Sequence, residues 1–221
     1  MNGCRLLPFL ALPWLVACTQ LALTPISPTQ DPKSLWQQRQ QQLGRFIDWE
    51  LKGRLALRTV DHGDSASLIW KKSGDDQEIQ LFGAFGGGRV RIIESAVGAV
   101  LRDGAGEEFR GLGAEEVLHR AIAWRVPFSE LGYWVRGLPA PGQHEGIGFD
   151  HNGRVRQISQ SGWEIKYLEY RTFNGLDLPY KIQIQALPGT VKALTEDIME
   201  PSNLLLVKLA ISYWNGEPEA E

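Results

Sequence analysis

Four histidines are the first residues to test for metal or acid–base chemistry, and none has the company that such chemistry needs. His62 and His151 fall in turn-forming stretches, His119 in a helical one and His144 in a loop, without the i to i+4 pairing or carboxylate spacing of a metal site. They read as solvated side chains. Gly83-Ala84-Phe85-Gly86-Gly87-Gly88 is glycine-rich, but Arg89 and Arg91 stand where a phosphate cradle would need lysine or glycine. No serine lies in a G-x-S-x-G elbow, and the adjacent carboxylates Asp75-Asp76 and Glu115-Glu116 have turn and helix-start roles. A carboxylate pair gathered by the fold stays open as an enzymatic reading. Otherwise the sequence predicts no catalytic residue, no enzyme activity and no metal.

The residue type that does promise chemistry is cysteine. Arg5 precedes an uncharged apolar run from Leu6 to Ala17, too short and too proline-interrupted to span a bilayer core of roughly twenty residues, so it reads as a secretory signal. It ends in Leu15-Val16-Ala17-Cys18, which resembles the bacterial lipobox. The resemblance implies cleavage after residue 17, with a covalent diacylglycerol and an N-acyl group on Cys18. Thr19 follows, not the aspartate that favours inner-membrane retention in many Gram-negative bacteria, so the expected destination is the outer membrane, with the folded domain facing the periplasm. Residues 18–32, with Pro25, Pro28 and Pro32 among Ser and Thr, form the expected flexible tether. Cys4 leaves with the signal, so the body carries no thiol.

The elements that must serve this anchor are mostly strands. The chain has 221 residues, 43% hydrophobic and 22% charged, with net charge -3, which offers no electrostatic footprint for nucleic acid. Residues 33–46 predict a helix with a thin apolar stripe through Leu35, Trp36, Leu43 and Phe46. From Trp49 the period becomes two, through Leu51, Gly53, Leu55 and Leu57; turn chemistry at Asp61-His62-Gly63-Asp64 leads into Ala66, Leu68 and Trp70. Further short strands carry Ile79 and Leu81, Val90 and Ile92, then Val97, Ala99 and Leu101, in an economical meander. Ala114–Trp124 and the stretch after Pro127 predict two short helices bearing Val117, Leu118, Trp124, Phe128, Tyr133 and Trp134, suited to cover a sheet face. Strand signals return at 154–159, 163–170, 178–186 and 204–214, with an irregular loop at 187–202. One domain is expected over 33–215, followed by a tail at 216–221.

Several pieces in this order resemble the LolB family of outer-membrane lipoprotein receptors. They are Leu35-Trp36-Gln37, Lys52-Gly53-Arg54-Leu55-Ala56-Leu57, Ala66-Ser67-Leu68-Ile69-Trp70, Val126-Pro127 leading to Trp134-Val135-Arg136-Gly137-Leu138-Pro139, and Gly162-Trp163-Glu164-Ile165-Lys166-Tyr167. The resemblance implies a mainly β, α+β fold: a curved, incomplete antiparallel barrel with helices as a lid over an apolar cavity. It also implies a monomer that takes acylated lipoproteins from the periplasmic carrier LolA and inserts them into outer-membrane lipid, without nucleotide or metal.

The residues allow that job a physical test. Exposing up to three acyl chains of roughly fifteen methylenes to water would cost on the order of 35 kcal/mol at about 0.8 kcal/mol per CH₂, so the chains must pass between apolar cavities. The expected cavity lining is Leu55, Leu57, Leu68, Trp70, Leu81, Ile92, Leu101, Trp134, Ile165 and Tyr167. The same alternation would also serve a filled core, and a structural outer-membrane lipoprotein without cargo stays open beside the receptor. Gly83, Ala84, Phe85 and Gly86 lie where the family presents an exposed apolar residue on a strand-connecting turn, with Phe85 the expected membrane-inserting side chain and Phe82 its rival. Which surface docks the carrier is not legible; Arg89, Arg91 and Arg154 are one basic candidate.

Overall fold

The computed structural model describes residues 31–58, 63–84, 88–122, 127–188, 190, 205–216 and 218. Cys18 with its signal and tether, Trp124, Phe85 and Gly86, and most of the 187–202 stretch therefore lie outside the described residues.

Helix α1 (Pro32–Gly44) begins where Asp31 accepts a bond from the Lys33 amide and Pro32 takes the first turn, where its missing N–H costs nothing. It buries Trp36 and Leu43, two turns apart, which is the thin stripe expected from the sequence. Five strands follow as a meander: β1 (Trp49–Arg58), β2 (Gly63–Ser73), β3 (Asp76–Ala84), β4 (Gly88–Ser95) and β5 (Gly98–Arg102). After a short β6 (Glu108–Gly111) come helices α2 (Ala114–Ile122) and α3 (Phe128–Trp134). The chain then adds β7 (Gly146–Phe149), β8 (Val155–Gln160), β9 (Trp163–Phe173), β10 (Leu176–Ala186) and β11 (Leu206–Asn215).

All eleven strands form one antiparallel sheet in the order β6-β5-β4-β3-β2-β1-β11-β10-β9-β8-β7. The first and last strands meet at its centre, with Leu51 opposite Trp214 and Leu57 opposite Val207. The edges are the four-residue β6 and β7, too short to template further pairing. Period-two alternation does not find these two strands: Glu108-Phe109-Arg110-Gly111 and Gly146-Ile147-Gly148-Phe149 are not clearly two-faced.

The sheet is open, and it curls. Phe128 at the start of α3 packs on Trp70 of β2, and Trp134 at its end packs on Trp163 of β9, with ring centroids 5.9 and 6.4 Å apart. Those strands are four steps apart, about 19 Å on a flat sheet, whereas six helical residues advance only about 9 Å. The sheet closes that gap by bending toward the helix. Register shifts between Lys52 and Gly53, and around Pro179 and Lys181, supply local bends. Gly53 is required at its bulge, since a Cβ there would lie 2.3 Å from the Ala210 carbonyl oxygen.

The inner face and the helices share one apolar cluster. The outer face carries ion pairs such as Arg91–Glu78 and Lys181–Glu169, exposed enough to add little stability. Among the described residues no helix is long and apolar enough to cross a membrane.

Candidate functional site

Strand parity puts the nine strand-borne lining residues on the inner face, and Trp134 reaches the same cluster from the end of α3. Nine of the ten are buried: Leu57, Leu68, Trp70, Leu81, Ile92, Leu101, Trp134, Ile165 and Tyr167. Leu55 is partly buried and packs against the same cluster. In this arrangement the inner face lies against the helices and itself.

Two glutamines break the apolar face, and each answers an indole. Gln77 shares parity with Ile79 and Leu81, and its Oε1 accepts from Trp70 Nε1 at 2.9 Å while its amide donates to Glu94. Gln160 shares parity with Ile158; its Oε1 accepts from Trp134 Nε1 at 3.0 Å and from the Ala140 amide at 2.9 Å. Its own amide donates to the carbonyls of Ala140 and Gln143. Buried to 1% exposure, Gln160 thus uses its whole hydrogen-bonding capacity to hold the segment after α3. Sequence reasoning missed both glutamines, which fall just outside the strand stretches that alternation marked.

Arg136 is the buried cation of the site. Its Nε donates to the Gly132 carbonyl at 3.0 Å, and its Nη1 donates to the carbonyls of Phe46 at 2.7 Å and Leu43 at 3.3 Å. The guanidinium lies 5.0 Å from the Tyr133 ring centre. It therefore ties the end of α1 to α3, a favourable place for a cation because helix C-termini carry unsatisfied carbonyls. Burial pulls its pKa below the ordinary arginine value. Tyr167 completes the fastening by donating to the Trp134 carbonyl at 2.8 Å, and burial raises its pKa well above the usual tyrosine value.

Helix α2 is held differently. Ala114, Val117 and Leu118 are buried beside β4, β5 and β6, and its polar ties are at the surface. Glu115 accepts from the Ser129 amide and hydroxyl, Glu116 from the Leu112 amide, and Arg120 donates to the Arg110 carbonyl. A cleft of about 360 Å³ opens between α2 and α3, lined by Glu94, Leu112, Phe128 and Ser129 among others. A larger cleft of about 570 Å³ lies at the ends of β1–β4 and β11 and reaches Trp49, Gln77 and Glu94. Among the described residues no group of His, Cys, Asp and Glu could hold a metal ion.

The family described as "Outer membrane lipoprotein LolB" matches residues 47–214. The chain belongs to the LolB family. An outer-membrane lipoprotein LolB of Alkalilimnicola ehrlichii is 34% identical over 89% of this chain and 96% of its own. One of Nitrosococcus oceani is 35% identical over 84% and 92%. A solved LolA superfamily protein from Nitrosomonas europaea superposes with a TM-score of 0.50 at 10% identity, covering 86% of this chain and 94% of that one, a likeness of fold. LolB membership places the protein among outer-membrane lipoproteins. The incomplete antiparallel barrel with covering helices expected from the resemblance is the architecture found. Of the expected LolB turn, Gly83 is described and exposed, and Phe82 is partly buried with Arg89 over its ring at 4.7 Å; Phe85 itself lies outside the described residues.

Proposed function

We propose that this LolB-family protein receives lipoproteins by their acyl chains from a soluble LolA-type carrier and delivers them into the outer membrane, held there by a lipid on Cys18. The observation that carries the reading is the inner face: an open, curled sheet lined by large apolar side chains, under helices of which one, α2, has its polar ties among the described residues at the surface. Acyl chains enter when α2 swings away from β4–β6, and the buried apolar residues exchange contacts with one another for contacts with the ligand. No ATP is needed: each tenfold by which the receiver binds more tightly than the donor supplies about 1.4 kcal/mol of direction.

The domain over 33–215 hangs from the tether 18–32, so the mouth can meet a carrier and the lipid surface in turn. Phe85, on a glycine-flanked turn, inserts into lipid and helps unload the cargo. Two measurements test this. The protein carrying Cys18→Ala is expected to bind an acylated lipoprotein saturably, in competition with an apolar fluorophore; no binding would return the inner face to a filled core. Phe85→Glu is expected to keep cargo binding and lose several-fold in delivery to vesicles, and equal delivery by variant and parent would remove Phe85 from the mechanism.

A further inference from the structure

Two more indoles lie on the inner face, and they lack what Trp70 and Trp134 have. Leu51 stands directly opposite Trp214 across β1 and β11, and Trp49 lies two residues from Leu51 on β1, so all three share the buried face. Trp49 and Trp214 pack together with centroids 5.5 Å apart, Trp49 against Trp70 at 5.2 Å and Trp214 against Phe46 at 5.9 Å. Their side chains are 3% and 4% exposed, and neither Nε1 has a hydrogen-bond acceptor among the described residues. Buried indole N–H groups ordinarily find a partner, and this fold supplies a glutamine to Trp70 and to Trp134. Two buried donors in one aromatic wall thus have room in their bonding for acceptors from outside the chain.

The surroundings select the acceptor. The walls are aromatic, so the acceptor must be neutral and attached to an apolar body. Trp49 also lines the 570 Å³ cleft, whose rim sets five carboxylates against Lys71 and Lys72 and so disfavours phosphate. Two neutral ester carbonyls, joined through their ester oxygens to neighbouring glycerol carbons and each leading to an acyl chain, fit both requirements: the ester pair of a diacylglyceryl group. We propose that Trp49 and Trp214 donate their indole N–H groups to the ester carbonyls at the head of the acylated ligand, fixing its depth while the chains lie along the inner face. This rests on the acyl-binding reading above.

The test compares a synthetic S-diacylglyceryl-cysteine peptide with its S-dialkylglyceryl ether analogue, which keeps the chains and lacks the carbonyls. The probes are titrated into the protein carrying Cys18→Ala and into the same protein with Trp49→Phe and Trp214→Phe added. The parent is expected to bind the diester about tenfold more tightly than the diether, the double variant to bind both with the parent's diether affinity. Equal binding of the two lipids by the parent, or a preference that survives in the double variant, would overturn the proposal while leaving acyl binding in place. Binding of neither lipid by the parent would overturn both. A second readout needs no double variant: in ¹⁵N-labelled parent, two indole N–H resonances, assigned through single variants, are expected to move downfield with the diester and not with the diether. Unmoved resonances would overturn the assignment.

Discussion

Helices α2 and α3 cover the same sheet and are fastened by opposite means. Around α3 the ties are polar, buried and long-range: Gln160 closes four hydrogen bonds, Tyr167 reaches the Trp134 carbonyl, and Arg136 spans to Leu43 and Phe46. Around α2 they are apolar below and exposed above. Buried polar ties are directional and costly to leave open, so they hold one geometry; apolar contacts are non-directional and can be remade with another apolar partner. The acyl binding proposed above uses one helix of each kind, a fixed one to keep the sheet curled and a replaceable one to let the chains in.

The largest break in that comparison is Gln160→Leu. It strands the Trp134 indole and the Ala140 amide and carbonyl in the interior, and more than about 3 kcal/mol of unfolding free energy should disappear in urea titrations. Gln77→Leu, at the equivalent place in the other half, strands one indole beside the partly exposed Glu94 and should cost about half as much. Equal losses would mean that the two halves are fastened alike. Arg136→Met comes next, at about 2 to 4 kcal/mol, because three buried carbonyls lose their donor while the methionine keeps the apolar stem's packing. Its specific mark is faster amide exchange in α1, with β3–β5 unaffected.

Which of these ties was legible in advance follows from how far apart the partners are in the chain. Alternation within a strand, as along Trp49–Leu57 and Ala66–Trp70, reports on neighbours, and it placed the strand-borne lining residues on one face, whereas Gln77 and Gln160 fall just outside the stretches it marked. Arg136 lies in Trp134-Val135-Arg136-Gly137, a helix end by composition; that the end of α1, some ninety residues earlier, would supply its acceptors depends on the docking of α1. That docking in turn needs Gly153, whose φ of +69° and lack of a Cβ let the Trp36 backbone approach. The pairing of β1 with β11, which creates the Trp49–Trp214 wall, likewise joins the two ends of the domain and leaves no local trace. Chemistry carried by a single segment was readable, and chemistry made by closure of the sheet was not.

The fixed side should also be the base-sensitive side. Tyr167 is buried and Tyr170 partly buried against the same cluster, and removal from water raises both pKa values above the ordinary tyrosine value near 10. In the unfolded chain they ionise near pH 10, and in the folded one they stay neutral beyond it. Their contribution is therefore fully present below pH 10 and is lost as pH rises from there toward the folded values. Each tyrosine adds up to about 1.4 kcal/mol per pH unit to the fall in stability. Tyr167→Phe should remove one such share from the slope measured between pH 10 and 11, beside a loss of about 1 kcal/mol at neutral pH for its bond to Trp134. An unchanged slope would mean that Tyr167 ionises in the folded state as readily as in water.

The smallest effect on stability is the one that bears most on function. Ser129 joins the two helices directly, its amide and hydroxyl both donating to Glu115 at the surface. Ser129→Ala deletes the hydroxyl bond, and because the site is exposed the unfolding free energy should change by less than about 0.5 kcal/mol. If α2 must leave α3 for acyl chains to enter, the same deletion stabilises the open state relative to the closed one and should speed stopped-flow uptake of an apolar fluorophore about twofold. Arg136→Met offers the opposite pairing, a large stability loss with uptake that α1–α3 fastening does not gate. Uptake unmoved by Ser129→Ala and accelerated by Arg136→Met would reverse the assignment: α3, despite its buried bonds, would be the helix that opens.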